Sequence, residues 1–247
     1  MKKLATALVS AAAIMTMSTT AFAAENPAEV FDRVMEKNNT IQSAEIQSGV
    51  HSVILAKDVI PDGQMKVDMA MHAEMDMQDT TDLKYLAQVA SSILGQDSYS
   101  QVFYTDGYYY VDANGVKLKY PMPLEQIISS VQTGVNTSNM ESSYMKGISL
   151  NEVNGKRVLA YEANPKKLNK NVKEALGTVM NTLGTDINLD MNIQEMKGAY
   201  VLDDNDYIIY MTNYIVYNME VLDQPMTCIT LMETEVQNPG EPVVVTL

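Results

Sequence analysis

The chain has 247 residues and a formal net charge of −14, from 31 acidic against 17 basic side chains. Such an acidic balance repels phosphate backbones and anionic lipid surfaces, which makes nucleic acid a poor partner. A single cysteine, Cys228, excludes an internal disulfide framework.

The first 23 residues read as a secretory signal. Lys2 and Lys3 supply a positive start, Leu4 to Met17 a mainly apolar run, and Ala21-Phe22-Ala23 a small-x-small cleavage pattern. The run is shorter than the ~20 helical residues a bilayer requires, and no stop-transfer segment follows. The first mature residue is Ala24 rather than cysteine. The expectation is a secreted protein with no stable membrane anchor, not a lipoprotein, whose residues 24–247 form a single domain. Removing Lys2 and Lys3 leaves 15 basic against 31 acidic residues, a balance of −16.

Asn26-Pro27-Ala28-Glu29 is a helix start, with a cap, a proline at the first helical position and a glutamate able to reach back. Val30, Phe31, Val34 and Met35 then share a stripe up to Asn38-Asn39. Strand character begins near Ile41. Met65 to Met77 carries the clearest strand signal: Met65, Val67, Met69, Met71, Ala73, Met75 and Met77 alternate with Lys66, Asp68, His72, Glu74 and Asp76. The spacing of Leu83, Leu86, Ala90, Ile93 and Leu94 before Gly95 predicts a helix from Asp82 to Leu94.

Two hairpins follow, turning at Asp106-Gly107 and Asn114-Gly115. After Pro121 and Pro123, Leu124 to Val131 reads as a short helix. Strands resume at Ile148–Val153, turn at Asn154-Gly155 and return through Val158–Glu162. Asn164-Pro165 opens a helix with Leu168, Val172, Leu176, Val179 and Leu183 on its apolar side. Ile187, Leu189, Met191 and Ile193 alternate with polar residues, and strands cover Ala199–Leu202, Tyr207–Asn213, Ile215–Leu222 and Met226–Val236. Strands with one wet face imply one antiparallel sheet whose apolar side needs a cover, and the helices near 27–38, 82–94, 124–131 and 165–183 supply it.

Met65-Lys66-Val67-Asp68-Met69-Ala70-Met71, the run Tyr104-Thr105-Asp106-Gly107-Tyr108-Tyr109-Tyr110 with its Gly115–Pro121 return, the hairpin before the Lys166–Leu183 helix, and the terminal Pro239–Val245 together resemble an uncharacterised family of exported Gram-positive proteins with the LolA/LppX-like lipoprotein-carrier fold. The resemblance implies an α+β fold: a strongly curved antiparallel sheet, a half-open β-barrel, with helices covering its concave face and lipid held between them. Many relatives begin with a lipidated cysteine and carry a tryptophan where this chain has Lys117-Leu118-Lys119-Tyr120.

No constellation of catalytic residues is legible. The chain lacks a Gly-x-Ser-x-Gly elbow, a His-Glu-x-x-His pair and a phosphate-cradling glycine loop. Asp203-Asp204-Asn205-Asp206 lacks the alternating ligands and central glycine of a calcium loop and reads as a turn. Cys228 reads as a small buried residue in a strand. Met69, Met71, Met75 and Met77 could form a soft thioether site for Cu(I), but they lie on the apolar side of their strand, and His72 points to the other.

The expectation is a non-catalytic, monomeric extracytoplasmic carrier or sensor of a lipid or other hydrophobic molecule, with no cofactor and no metal. Its ligand site comprises Met65, Val67, Met69, Met71, Met75 and Met77, the lid residue Leu86, and Ile187, Leu189, Met191 and Ile193 of the second alternating strand. The rival is a structural or protein-interaction module with a fully packed core.

Overall fold

The computed structural model describes residues 25–56, 63–79, 83–123, 140–170, 191–221 and 224–246. The expected signal segment, the helix expected at 124–131, the later part of the expected 165–183 helix and the site candidates Ile187 and Leu189 lie outside these residues.

Helix α1 (Pro27–Asn38) starts as its sequence dictates, with the Asn26 Oδ1 accepting from the Ala28 N–H at 3.1 Å. Among the described residues eleven strands follow: β1 (Ser43–Leu55), β2 (Gln64–Asp76), β3 (Lys84–Ile93), β4 (Gln96–Thr105), β5 (Tyr108–Ala113), β6 (Val116–Pro121), β7 (Met145–Val153), β8 (Lys156–Ala163), β9 (Met191–Leu202), β10 (Ile208–Val221) and β11 (Gln224–Gln237). They form one antiparallel sheet in the order β6-β5-β4-β3-β2-β1-β11-β10-β9-β8-β7. Two meanders, β1–β6 and β7–β11, are thus joined along β1 and β11, and among the described residues β6 and β7 are the edges of an unclosed sheet.

Tight turns set the meanders. Asp106-Gly107, Asn114-Gly115 and Asn154-Gly155 all have positive φ at both residues, as two-residue hairpins require. Leu94-Gly95 does the same, with φ of 52° and 76°. That fourth turn corrects the sequence reading, because the segment expected as a helix from Asp82 to Leu94 is strand β3. The helical spacing of Leu83, Leu86, Ala90 and Ile93 coexists with a period-2 set, Tyr85, Ala87, Val89, Ser91 and Ile93, and partners on both sides decide between them. Gly95 turns a hairpin rather than capping a helix.

One face of the sheet is apolar and the other polar. α1 lies on the apolar face, where Val30, Phe31, Val34 and Met35 pack with Leu150, Leu159, Tyr161, Tyr200, Leu202 and Ile208. Phe31 sits edge-on to Tyr161 at 5.7 Å between ring centres. Residues 165–170 are helical, opened by Asn164, whose Oδ1 accepts from the Lys166 N–H, and Leu168 packs on the same face with Ala163 and Ile193. Beneath α1 the backbone approach is close at Gly198: a Cβ there would lie 2.5 Å from both Asn213 Oδ1 and the Thr212 carbonyl oxygen. Only glycine fits that position without a shift.

The Asp203–Asp206 turn does more than join β9 to β10. Asp203 Oδ1 accepts from the Asn205 and Tyr207 N–H groups, both at 2.8 Å, while the Asp206 carboxylate takes Arg33 of α1 at 2.9 Å and also Arg157 of β8. Helix and sheet are therefore pinned by a shared charge as well as by the core.

Candidate functional site

Cross-strand register assigns each side chain to a face, because directly opposed residues point the same way. Met69 faces Val50 on β1 and Ser91 on β3, and Met71 faces Ser48 and Val89. Met65, Val67, Met69, Met71 and Met75 share the apolar face with α1, as their alternation predicts. Lys66, Asp68, His72, Glu74 and Asp76 take the other face.

Burial divides that methionine row. Met75 and Met77 are buried with Leu83 and Tyr104, against Ile41, Tyr85, Tyr109 and Met122. Met69 and Met71, in mid-strand, keep 38% and 37% of their surface exposed. The expectation that the whole row is buried fails there, because among the described residues the helical cover sits over the β7–β10 end of the face. Met191 and Ile193 join the apolar face from β9, opposite Met219 and Tyr217 of β10, with Ile193 buried.

Leu86 does not belong to this set. It is buried, but it lies on β3 between Glu74 and Phe103, on the opposite face from the methionines. It is a strand residue of the polar side and not part of a lid.

Cys228 is buried beside Met219, its Sγ 3.6 Å from the Met219 Sδ. Burial pushes its thiol pKa up. Among the described residues no group of three His, Cys, Asp or Glu side chains is placed to hold a metal ion.

Sequence reasoning missed a hollow that lies mainly on the polar face. It is an open groove of about 800 Å³ across β10, β11, β1, β2, β3 and β4. Its origin is a cross-strand row of small residues, Gly49, Ala70 and Ala90, paired in register from β1 to β3. Taller rows stand on both sides: Gln47, His72 and Gln88 on one, His51, Asp68 and Ser92 on the other. Tyr99 stands at the β4 end, and Tyr210 and Glu233 at the β10–β11 end. Met69 and Met71 also border the hollow. A second hollow of about 420 Å³, lined by Ser149, Ala160 and Lys197 among others, continues the same row over β7–β9. The only sequence signal was small residues at wet-face positions, which is invisible until the strands are in register.

Both histidines of the chain stand in the groove. His51 Nδ1 is 2.7 Å from Asp68 Oδ1, and His72 Nε2 is 3.1 Å from Glu74 Oε1. Tyr210 donates its hydroxyl to Glu233 Oε1 at 2.7 Å, and burial together with that carboxylate raises its pKa. Among the described residues that line the groove, none pairs a nucleophile with a base and an oxyanion donor.

The described residues thus form an antiparallel sheet, unclosed among them, with helices on its apolar face. A family model covers residues 26–240, and the chain belongs to that family, the family of unknown function DUF6612. No curated protein matches it in sequence. Among solved structures it is similar to LprF from Mycobacterium bovis, at 10% identity and TM-score 0.38 over 90% of this chain and 96% of that one. The lipoprotein LppX of Mycobacterium tuberculosis is similar at 9% identity and TM-score 0.37, over 90% and 100%. A β-barrel-like DUF1849 protein of Brucella abortus gives 11% and 0.26, over 81% and 100%. Among the described residues no helix is long and apolar enough to cross a membrane.

Proposed function

We propose that this protein is a non-catalytic, exported binding protein that holds a lipid or other hydrophobic molecule against the apolar face of its sheet. The observation that carries this reading is the mid-sheet strip at Met69 and Met71. More than a third of each side chain is exposed, while the same face is packed at both ends, by α1 over β7–β10 and by the Met75–Met77 cluster near β4. Methionine is flexible and polarizable, suited to apolar ligands of varied shape. An exposed apolar strip is a place where such a ligand removes surface from water. Ile93, itself exposed, extends the strip on β3 opposite Val67. The signal-like residues 1–23 support export, and the family resemblance read from the sequence supports a lipidic ligand.

Native mass spectrometry of protein purified from its own host should find a co-purifying lipid. The purified chain should also enhance the fluorescence of an apolar dye, and changing Met69 and Met71 together to Gln should abolish that signal with little change in melting temperature, since neither side chain is buried. Wild-type protein that carries no lipid and binds no dye sinks the proposal.

A further inference from the structure

We infer that Met191, Met219, Met226 and Cys228 form a binding site for a soft monovalent metal ion, Cu(I), at the Met191 end of β9–β11. Strand register carries this inference. Met219 of β10 stands directly opposite Met226 of β11 and directly opposite Met191 of β9, so three thioether side chains make one cross-strand row on one face. Directly opposed side chains have Cβ atoms about 5 Å apart, and methionine is long and flexible enough for neighbours in such a row to reach a shared ion. Cys228, two positions from Met226 on the same face, adds a thiol, and its Sγ lies 3.6 Å from Met219 Sδ. Two sulfurs bound to one ion at ~2.3 Å, the length of a zinc–thiolate bond, stand about 3.8 Å apart at the tetrahedral angle. The Cys228–Met219 pair therefore already has the spacing of two ligands of one ion.

The donor set decides the metal. Among the described residues no His, Asp or Glu joins Cys228 in a group of three that could hold an ion, so hard divalent ions lack their ligands there. Thioether and thiol sulfur suit Cu(I) instead. Charge points the same way. Cys228 is 1% exposed. As copper binds, the S–Cu bond forms and the S–H proton leaves to solvent, so thiolate and Cu(I) cancel. A neutral centre is tolerated in an apolar surrounding, where a divalent ion would keep an uncompensated charge. The cluster also stands apart from the Met69–Met71 strip. The row of Met69 crosses β1 at Val50 and β11 at Met232, two same-face positions beyond Cys228. The inference does not rest on the hydrophobic-ligand reading.

The test is transfer of Cu(I) from its bicinchoninate complex to the reduced full chain under argon, followed by loss of the complex's colour and by native mass spectrometry. One Cu(I) should bind per chain, with a mass gain of one copper less one proton. Met219→Leu combined with Met226→Leu removes two thioethers at nearly constant volume, so the double variant should melt close to wild type. It should hold Cu(I) about tenfold or more less tightly, at least the loss that even outer-shell changes cause at metal sites. Cys228→Ser should lose the ion and the proton release together. Wild-type protein that draws no copper from the complex overturns the inference. So does uptake that these variants leave unchanged, or Zn(II) binding of equal affinity. The Met69→Gln, Met71→Gln pair should bind Cu(I) as wild type does, and the leucine pair should keep the dye response. Failure of the copper site thus leaves the carrier proposal standing, and the reverse holds too.

Discussion

Asp206 shows how much one side chain can join. Its φ of 66° places it in a region that aspartate and asparagine tolerate better than most residues, and its carboxylate receives Arg33 and Arg157 together. Burial, the largest single influence, would raise its pKa, but the hydrogen bonds from Arg33 and Arg157 outweigh it and hold the carboxyl below the usual range. A depressed native pKa means the contribution to stability is full above the unfolded value, near pH 4, and is lost as pH falls through the lower native value. Urea midpoints from pH 7 down to pH 2 should therefore fall on the acid side. Asp206→Asn, which keeps the backbone conformation, should be less stable at pH 7 and show a shallower acid limb. An unchanged acid limb in the variant would show that the Arg33–Asp206–Arg157 pins do not couple to folding.

At the scale of the element, β3 and its turn are the instructive case. Leu94 occupies a positive-φ position and is 70% exposed, so it has backbone strain with no packing in return. The three other tight hairpins place Asp or Asn at the equivalent position: Asp106, Asn114 and Asn154. Leu94→Asn should stabilise the β3–β4 hairpin by ~0.5–1 kcal/mol, seen as a higher urea midpoint at unchanged slope. Had 82–94 been a helix ending at Gly95, the same change would place a weaker helix former in its last turn and be slightly destabilising. The sign of the shift therefore tests the strand directly. The hairpin also explains why Leu86 is no lid residue: in a strand its side chain follows Glu74 and Phe103 to the polar face.

For the whole molecule, the critical seam is β1 against β11. It runs from Glu45–Gln237 to Leu55–Thr227 and includes paired hydroxyls, Ser48 with Thr234 at 2.8 Å and Ser52 with Thr230 at 2.9 Å. Among the described residues the two meanders share no other strand pairing. A chain ending after Val221 should lose its cooperative thermal transition by circular dichroism, rather than merely melting lower, because β1 and β10 would both become long unpaired edges. Survival of one sharp transition would mean that the meanders are held together by something other than this seam. The seam also builds the groove: Gly49 stands opposite Glu233 only because β1 and β11 pair in this register.

The sequence alone determined what is local. The α1 cap, three of the four tight hairpins, the alternation of Met65–Met77 and the division between wet and apolar faces follow from turn chemistry and from the period of two, and each needs only a few neighbouring residues. It misassigned β3, where two periodicities coexist and only partners on both sides choose between them. Tertiary structure alone decided which part of the methionine row is covered, leaving Met69 and Met71 open while Met75 and Met77 are packed. It alone brought Gly49, Ala70 and Ala90 into one row and set Glu233 at its end, because strand register is fixed by pairings across as many as 184 positions, Gly49 with Glu233, that no local pattern encodes.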